Sequence, residues 1–181
     1  FYLEYWRTSG NLRTPSDQHS SVSSSVSVID LFAGPGGLGE GFSAYRDSKG
    51  EYPFRIRLSA EKEASAHATL RLRAFIRKFG EDIPHAYYDY VKGNIGRESL
   101  YDCFMEQAVA ARMETLERPR TLGQPDDDAV IRKYLRNLKR EEGARVVIGG
   151  PPCQAYSLVG RARNKGIQGY RAEEDTRHYL Y

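Results

Sequence analysis

Val146-Val-Ile-Gly-Gly-Pro-Pro-Cys-Gln-Ala-Tyr-Ser157 decides how the chain reads: a short β-branched apolar run stops at two glycines and two prolines and then presents a cysteine. The pattern predicts a buried strand, Arg145 to Ile148, feeding a stiff loop. Pro151 and Pro152 fix their own φ, donate no N–H and push each preceding residue into extended geometry, so Cys153 is held on a rigid mount. Gly149 and Gly150 let the backbone turn tightly and leave room for a flat ligand to approach without meeting a Cβ. Ligands of open α/β sheets bind outside the carboxyl ends of the strands, which is where Cys153 falls if this strand is parallel to its neighbours. On these grounds Cys153 is either a nucleophile or one more small buried hydrophobe.

Outward from that stretch, the 181 residues suffice for one domain with a proper core. The net charge of +3, from 27 basic and 24 acidic residues, permits nucleic-acid binding without arguing for it. Two cysteines, Cys103 and Cys153, are too few for a disulfide framework and point to a reducing compartment, cytoplasmic or nuclear. With no run of 18 apolar residues and no signal-peptide core, the expectation is a soluble protein without a membrane partner. Phe1 in place of an initiating Met implies a trimmed chain or a fragment.

Residues 1–27 read as an arm or linker, aromatic at first and then rich in Ser, Thr and Asn. Val26 to Phe32 predicts a first strand, Ala33 to Gly39 a glycine turn opening a helix to about Arg46, and Phe54 to Ala60 an alternating second strand. A helix from Lys62 to about Phe79 buries Ala68, Leu72, Phe75, Ile76 and Phe79, and its basic residues Arg71, Arg73, Arg77 and Lys78 read as a solvated face. Ala86 to Val91 reads as a third strand running into Gly93-Asn-Ile95. Residues 97–143 carry two helical patterns. Leu100, Phe104, Ala108 and Ala111 share a face of the first with Cys103 beside them in the core, and Asp128 caps the second. Beyond Cys153, residues 154–171 hold Arg161, Arg163, Lys165 and Arg171 with no acid, a cationic loop that either contacts phosphate or is simply solvated. A further helix starts near Glu173.

Gly34-x-Gly-x-x-Gly39 with Glu61 about twenty residues beyond satisfies the dinucleotide fingerprint, which taken alone suggests NAD and an oxidoreductase. Asp30 on the strand before the turn, suited to a cationic group, and Pro35 inside the turn point elsewhere. Asp30-Leu-Phe-Ala-Gly-Pro-Gly-Gly-Leu38 resembles the S-adenosylmethionine motif of DNA (cytosine-5) methyltransferases, and Gly149-Gly-Pro-Pro-Cys-Gln-Ala-Tyr-Ser157 resembles their nucleophile motif. Ala60-Glu-Lys-Glu63 is similar to the second motif, Gly93-Asn-Ile95 to the third, with Asn94 where an Asp is usual, and Asp175-Thr-Arg-His-Tyr-Leu180 to the opening of the fifth.

The resemblance implies a Rossmann-like α/β fold with a mostly parallel sheet, incomplete here as the first half of a catalytic domain spanning 28–181, with 97–143 a helical insertion. It implies Cys153 as the catalytic nucleophile. The implied cofactor residues are Asp30, Phe32, Ala33, Gly34, Gly36, Gly37, Leu38, Glu61, Lys62, Asn94, Ile95 and Pro152, with Glu61 accepting from the ribose hydroxyls and Phe32 packing on the cofactor. DNA contacts are implied for Gln154, Ser157, Arg161, Arg163 and Lys165. It implies S-adenosylmethionine as cofactor and no metal, double-stranded DNA as partner, base flipping, a restriction-modification setting, and a prokaryotic cytoplasm in preference to a nucleus. The family's Glu-Asn-Val and Gln-x-Arg-x-Arg motifs and its target-recognition region are absent. The alternatives are therefore a non-catalytic or split-enzyme subunit needing a complementary half, or a member acting on transfer RNA; an NAD-binding oxidoreductase is a remoter one.

Overall fold

The structure is a computed structural model that describes residues 25–139, 143–151 and 171. Strands β1 (Val26–Leu31), β2 (Phe54–Ala60) and β3 (Arg145–Gly149) form a parallel sheet in the order β2-β1-β3, with helices between them. Successive parallel strands need crossovers, and helices supply them. The helices are α1 (Gly37–Ala44), α2 (Ala64–Arg77), α3 (His85–Val91), α4 (Arg97–Asp102), α5 (Met105–Glu114) and α6 (Pro125–Lys139). The architecture is the Rossmann-like α/β type expected, in part. The expected arm at 1–27 lies largely outside the described residues.

β1 is buried from Val28 to Asp30, as a central strand covered on both faces must be. The expected alternation of β2 is broken. Val28 pairs with Ile56 but Ile29 pairs with Leu58, so Arg57 is an extra residue and the strand changes face there. Phe54 and Ile56 consequently pack toward α1, where the Phe42 ring meets Phe54 at 5.1 Å. Leu58 and Ala60 turn the other way, joining Ile29, Leu116, Ile131 and Leu138 in the core under α6. A side chain the size of Leu58, wholly buried, contributes about 1.5–3 kcal/mol.

A second core forms away from the sheet, where Ala74 and Phe75 of α2 meet Leu100, Tyr101, Ala108 and Ala111, with Tyr87, Tyr90 and Ile95 packed against them. Here several expectations are corrected. Ala86 to Val91 is helix, not strand: Pro84 stands at its N-terminal boundary in extended geometry, and Ala86, Tyr87 and Tyr90, at helical spacing, face the α2 side. The first pattern of 97–143 is two helices, broken where Phe104 leaves helical geometry (φ −141°, ψ 62°). That break turns Cys103 out of the core to an exposed position. α6 begins at Pro125, three residues before the expected Asp128 cap, and Asp128 instead receives the Gly123 N–H at 3.0 Å. Of the expected face of α2, Phe75 is buried and Leu72, Ile76 and Phe79 pack against the helical core, while His67, Leu70 and Ala74 are buried in addition.

The basic residues of α2 are mostly structural, against the expectation of a solvated face. Arg71 Nη2 donates to the carbonyls of Leu116 and Glu117 at 2.8 and 2.7 Å. Arg77 bridges Glu40 and the buried Glu114, and Lys78 reaches Glu114 at 2.5 Å. Long stems let guanidinium and ammonium heads reach carbonyls and carboxylates across a helix interface that periodicity alone assigns to water. β3 differs as well. It lies at an edge of the described sheet with Val147 62% exposed, not buried as expected.

Candidate functional site at the carboxyl edge of the sheet

The site is built where β1 and β2 end. Leu31 leads into Phe32, whose φ of 58° is unusual for a bulky residue and marks a backbone held by its surroundings. Ala33 N–H then donates to the Ala60 carbonyl at 3.0 Å, tying the turn after β1 to the end of β2. Gly36 takes φ 93° at the boundary of α1, a conformation open to glycine at little cost, and its carbonyl accepts from Glu40 N–H. Above Gly34 and Gly37 an added Cβ would meet nothing within 4 Å. With exposed Leu38 beside them, these glycines form an open shelf.

Glu61, the first residue past β2, locks the shelf. Its Oε2 accepts the Gly34 N–H at 2.8 Å, and its Oε1 accepts the N–H groups of Lys62 and Glu63 at 2.8 and 2.7 Å. A carboxylate has about four acceptor positions, so three bonds leave about one for a ligand hydroxyl. Glu63, not Glu61, caps α2, its carboxylate accepting from Ser65 and Ala66 N–H. Those two backbone bonds hold the Glu63 carboxyl below its ordinary value.

Asp30 lies inside the shelf. It is 1% exposed, and neither carboxylate oxygen has a hydrogen-bond partner of good geometry among the described residues. A Cβ on Gly39 would come within 3.2 Å of its Oδ2, so Asp30 faces the underside of α1 and glycine gives it room there. Burial raises its pKa from 3.8 to about 6, against the opposing influence of the Gly39 N–H and the Arg77 charge.

β3 brings the third strand end to the same edge. Gly149 is in register with Leu31, and a Cβ on it would fall 1.9 Å from the Leu31 carbonyl oxygen. The glycine that sequence reading assigned to a tight turn is therefore a site of close strand approach, from which the described chain continues to Pro151. Pro152, Cys153, Gln154, Ser157, Arg161, Arg163 and Lys165 lie outside the described residues, as does the segment resembling the fifth motif.

The structure thus brings together Asp30, Phe32, Ala33, Gly34, Gly36, Gly37, Leu38, Glu61 and Lys62. Asn94 and Ile95 are placed otherwise. The expected strand before them is α3, Ile95 packs on the helical core, and exposed Asn94 donates from Nδ2 to Asp89 at 3.2 Å. One participant escaped sequence reading: Arg120 N–H donates to the Glu61 carbonyl at 2.7 Å, while its guanidinium is paired with Asp127 at 2.9 Å. No local sequence signal marks it, because the contact spans 59 residues of chain, the interval from Glu61 to Arg120.

The chain is similar to type II methyltransferases. It is 34% identical over 172 aligned positions to the type II methyltransferase M.Bpa9945I of Bacillus paralicheniformis, covering 85% of this chain and 36% of that protein. Over 50 positions it is 57% identical to a protein of Oceanobacillus iheyensis named as a candidate type II methyltransferase, covering 27% of this chain and 11% of that one. The chain therefore spans about a third of the length of the first relative and about a tenth of the second. No family model matches the chain, and no solved structure matches it significantly. Among the described residues, no helix is long and apolar enough to cross a membrane.

Proposed function

We propose that this chain is the cofactor-binding and nucleophile-bearing part of a bacterial DNA methyltransferase acting on carbon 5 of cytosine, with residues 28–181 forming the first half of its catalytic domain and 97–143 a helical insertion. The observation that carries this reading is the meeting, at one sheet edge, of the glycine shelf after β1, Glu61 after β2 and the Gly149-Gly-Pro stretch after β3. The relatives' names support methyl transfer; the motif resemblance supports cytosine-5.

The residues present fit S-adenosylmethionine. The shelf above Gly34 and Gly37 is open, Glu61 retains about one acceptor position for a ribose hydroxyl, and the half-buried Phe32 is next to the turn. When bound, S-adenosylmethionine supplies an electrophilic methyl group. Glu61 orients and Gly34 leaves room. Lys62 and Leu38 border the shelf. Cys153, two residues beyond the last described residue of this edge, adds as thiolate to carbon 6 of a cytosine flipped out of the duplex, which makes carbon 5 nucleophilic. After the methyl group transfers, loss of the carbon-5 proton and of the thiolate restores the ring and the free cysteine. The cationic residues Arg161, Arg163 and Lys165, with Gln154 and Ser157, contact the DNA around the extruded base.

The test is methyl transfer to duplex DNA by the intact protein, with a labelled donor. Transfer to cytosine carbon 5 that is abolished by Cys153→Ser is the expected result; transfer to an exocyclic amine, or activity surviving Cys153→Ser, sinks the cytosine-5 assignment. The 181-residue chain alone is expected to be inactive and to recover transfer when its complementary half is added in trans. Calorimetry showing NAD binding without S-adenosylhomocysteine binding would remove the methyltransferase reading altogether.

A further inference from the structure

A cleft of about 110 Å³ between α2, α4 and α5 is lined by His67, Arg71, Arg97, Glu98, Tyr101 and Arg112, with Ala68 and Ala108 as its apolar wall. Three guanidinium groups converge there against one carboxylate. Arg71 is held in place by the Leu116 and Glu117 carbonyls, and Arg112 is 3.8 Å from the exposed Glu117. The exposed Arg97 side chain has no ion pair or hydrogen bond among the described residues, and Tyr101 stands one helical turn beyond it on α4, so the two face the same way. Tyr101 is 9% exposed and its buried hydroxyl has no hydrogen-bond partner among the described residues. Native structures seldom leave such a donor unmatched, and each exception calls for an occupant or a strain.

We propose that this cleft, between α2, α4 and α5, binds a phosphate-type oxyanion, held by Arg97 and the Tyr101 hydroxyl with Arg71 and Arg112 supplying field. The oxygens of a phosphate-type oxyanion supply hydrogen-bond acceptors, which is the chemistry that an orphaned O–H and an unpaired guanidinium both lack. Burial pulls the Arg71 guanidinium below its ordinary value, with the charges of Arg112 and Arg97 adding to the effect and Tyr101 and Glu117 opposing it; a bound anion would offset the repulsion from the two arginines. Burial raises the Tyr101 hydroxyl above its usual range, keeping it protonated as a donor. At about 30 Å³ per water, the cleft has room for a tetrahedral anion in place of three or four waters. His67 does not contribute charge. Its Nε2 is paired with the Thr115 carbonyl at 2.8 Å, and burial lowers its pKa, so it is a neutral wall. The site gives the 97–143 segment a binding role separate from the glycine shelf.

The experiment is titration of the chain with inorganic phosphate in chloride buffer, followed by calorimetry and by the melting temperature. Saturable binding that Arg97→Gln weakens about tenfold or more, and Arg97→Lys partly restores, is the expected outcome. Tyr101→Phe should keep the fold, since it removes an unmatched buried hydroxyl, and should blunt the rise of melting temperature with phosphate. A short random duplex added in competition separates the sources. Displacement of phosphate, lost in Arg97→Gln, identifies a nucleic-acid backbone phosphate; no displacement identifies a small phosphorylated molecule. Absence of saturable phosphate binding together with duplex binding indifferent to Arg97→Gln overturns the proposal, as does phosphate binding that both variants leave unchanged.

Discussion

The glycine shelf and the helical layer of α3 to α5 are both reached from α2, yet they are built differently. The shelf is made by backbone: Gly34 N–H on Glu61, Ala33 N–H on the Ala60 carbonyl, and Gly149 pressed against the Leu31 carbonyl. The helical layer is made by side chains, with Phe79 and Tyr101 meeting Phe75, and Phe104 meeting Phe79, edge to face at 4.9 to 5.2 Å, and Glu114 drawing in Arg77 and Lys78. Backbone construction leaves residue-specific marks, because only glycine fits some positions. Side-chain construction leaves only a periodicity, which several folds can satisfy.

The contrast can be broken most severely at Gly149. Gly149→Ala places a methyl inside the Leu31 carbonyl and should separate β3 from β1, destabilising the chain by about 3 kcal/mol or more in urea unfolding. A loss under about 1 kcal/mol would mean that the strand ends do not approach as described.

In the helical layer the matching test is Glu114→Gln. Glu114 is 5% exposed and neutralises Arg77 and Lys78, although Arg77 keeps Glu40 and Lys78 keeps partial access to water. The expected loss is about 2–3 kcal/mol, below that for an ion pair left wholly uncompensated. Salt titration sharpens the reading: the difference between the two proteins should persist at high ionic strength, since buried pairs are little screened.

In the shelf, the buried Asp30 carboxyl has no hydrogen-bond partner of good geometry among the described residues. A carboxyl with a folded pKa above its unfolded one binds its proton more tightly when folded. Its contribution is therefore most favourable below pH 3.8, declines as pH rises to about 6, and is flat above. Across that window the loss is about 2–3 kcal/mol. Asp30→Asn should erase this slope, measured as the difference between the two stability profiles, and make the variant the more stable protein at pH 8. Parallel profiles would show that Asp30 has acquired a partner.

The smallest effect is expected at Glu63, where the two modes meet in a helix cap. Glu63→Ala should lower the melting temperature slightly by removing the cap and, because Glu61 holds the turn by itself, leave the shelf intact. Methyl-donor binding that falls with Glu63→Ala as far as with Glu61→Ala would merge two roles that the structure keeps apart.

Sequence alone determined the turn after β1 and the placement of Glu61 at the end of β2, because glycine and proline act on their own neighbours through φ and missing N–H groups, while the mostly parallel sheet was implied by the motif resemblance. Tertiary structure decided the rest. Ala86 to Val91 is rich in tyrosine, which suits a strand, but its rings are used against Phe75 and Leu100, and that packing selects helix. Cys103 was assigned to the core by a periodicity that the break at Phe104 interrupts, and Arg71, Arg77 and Lys78 were assigned to water because their partners lie 36 to 46 residues away in sequence. The extra residue at Arg57, which sends Ile56 and Leu58 to opposite faces, is visible only against the partner strand. A local rule cannot see an acceptor that folding brings from forty residues away, and in this chain those distant acceptors hold α2 and the shelf in place.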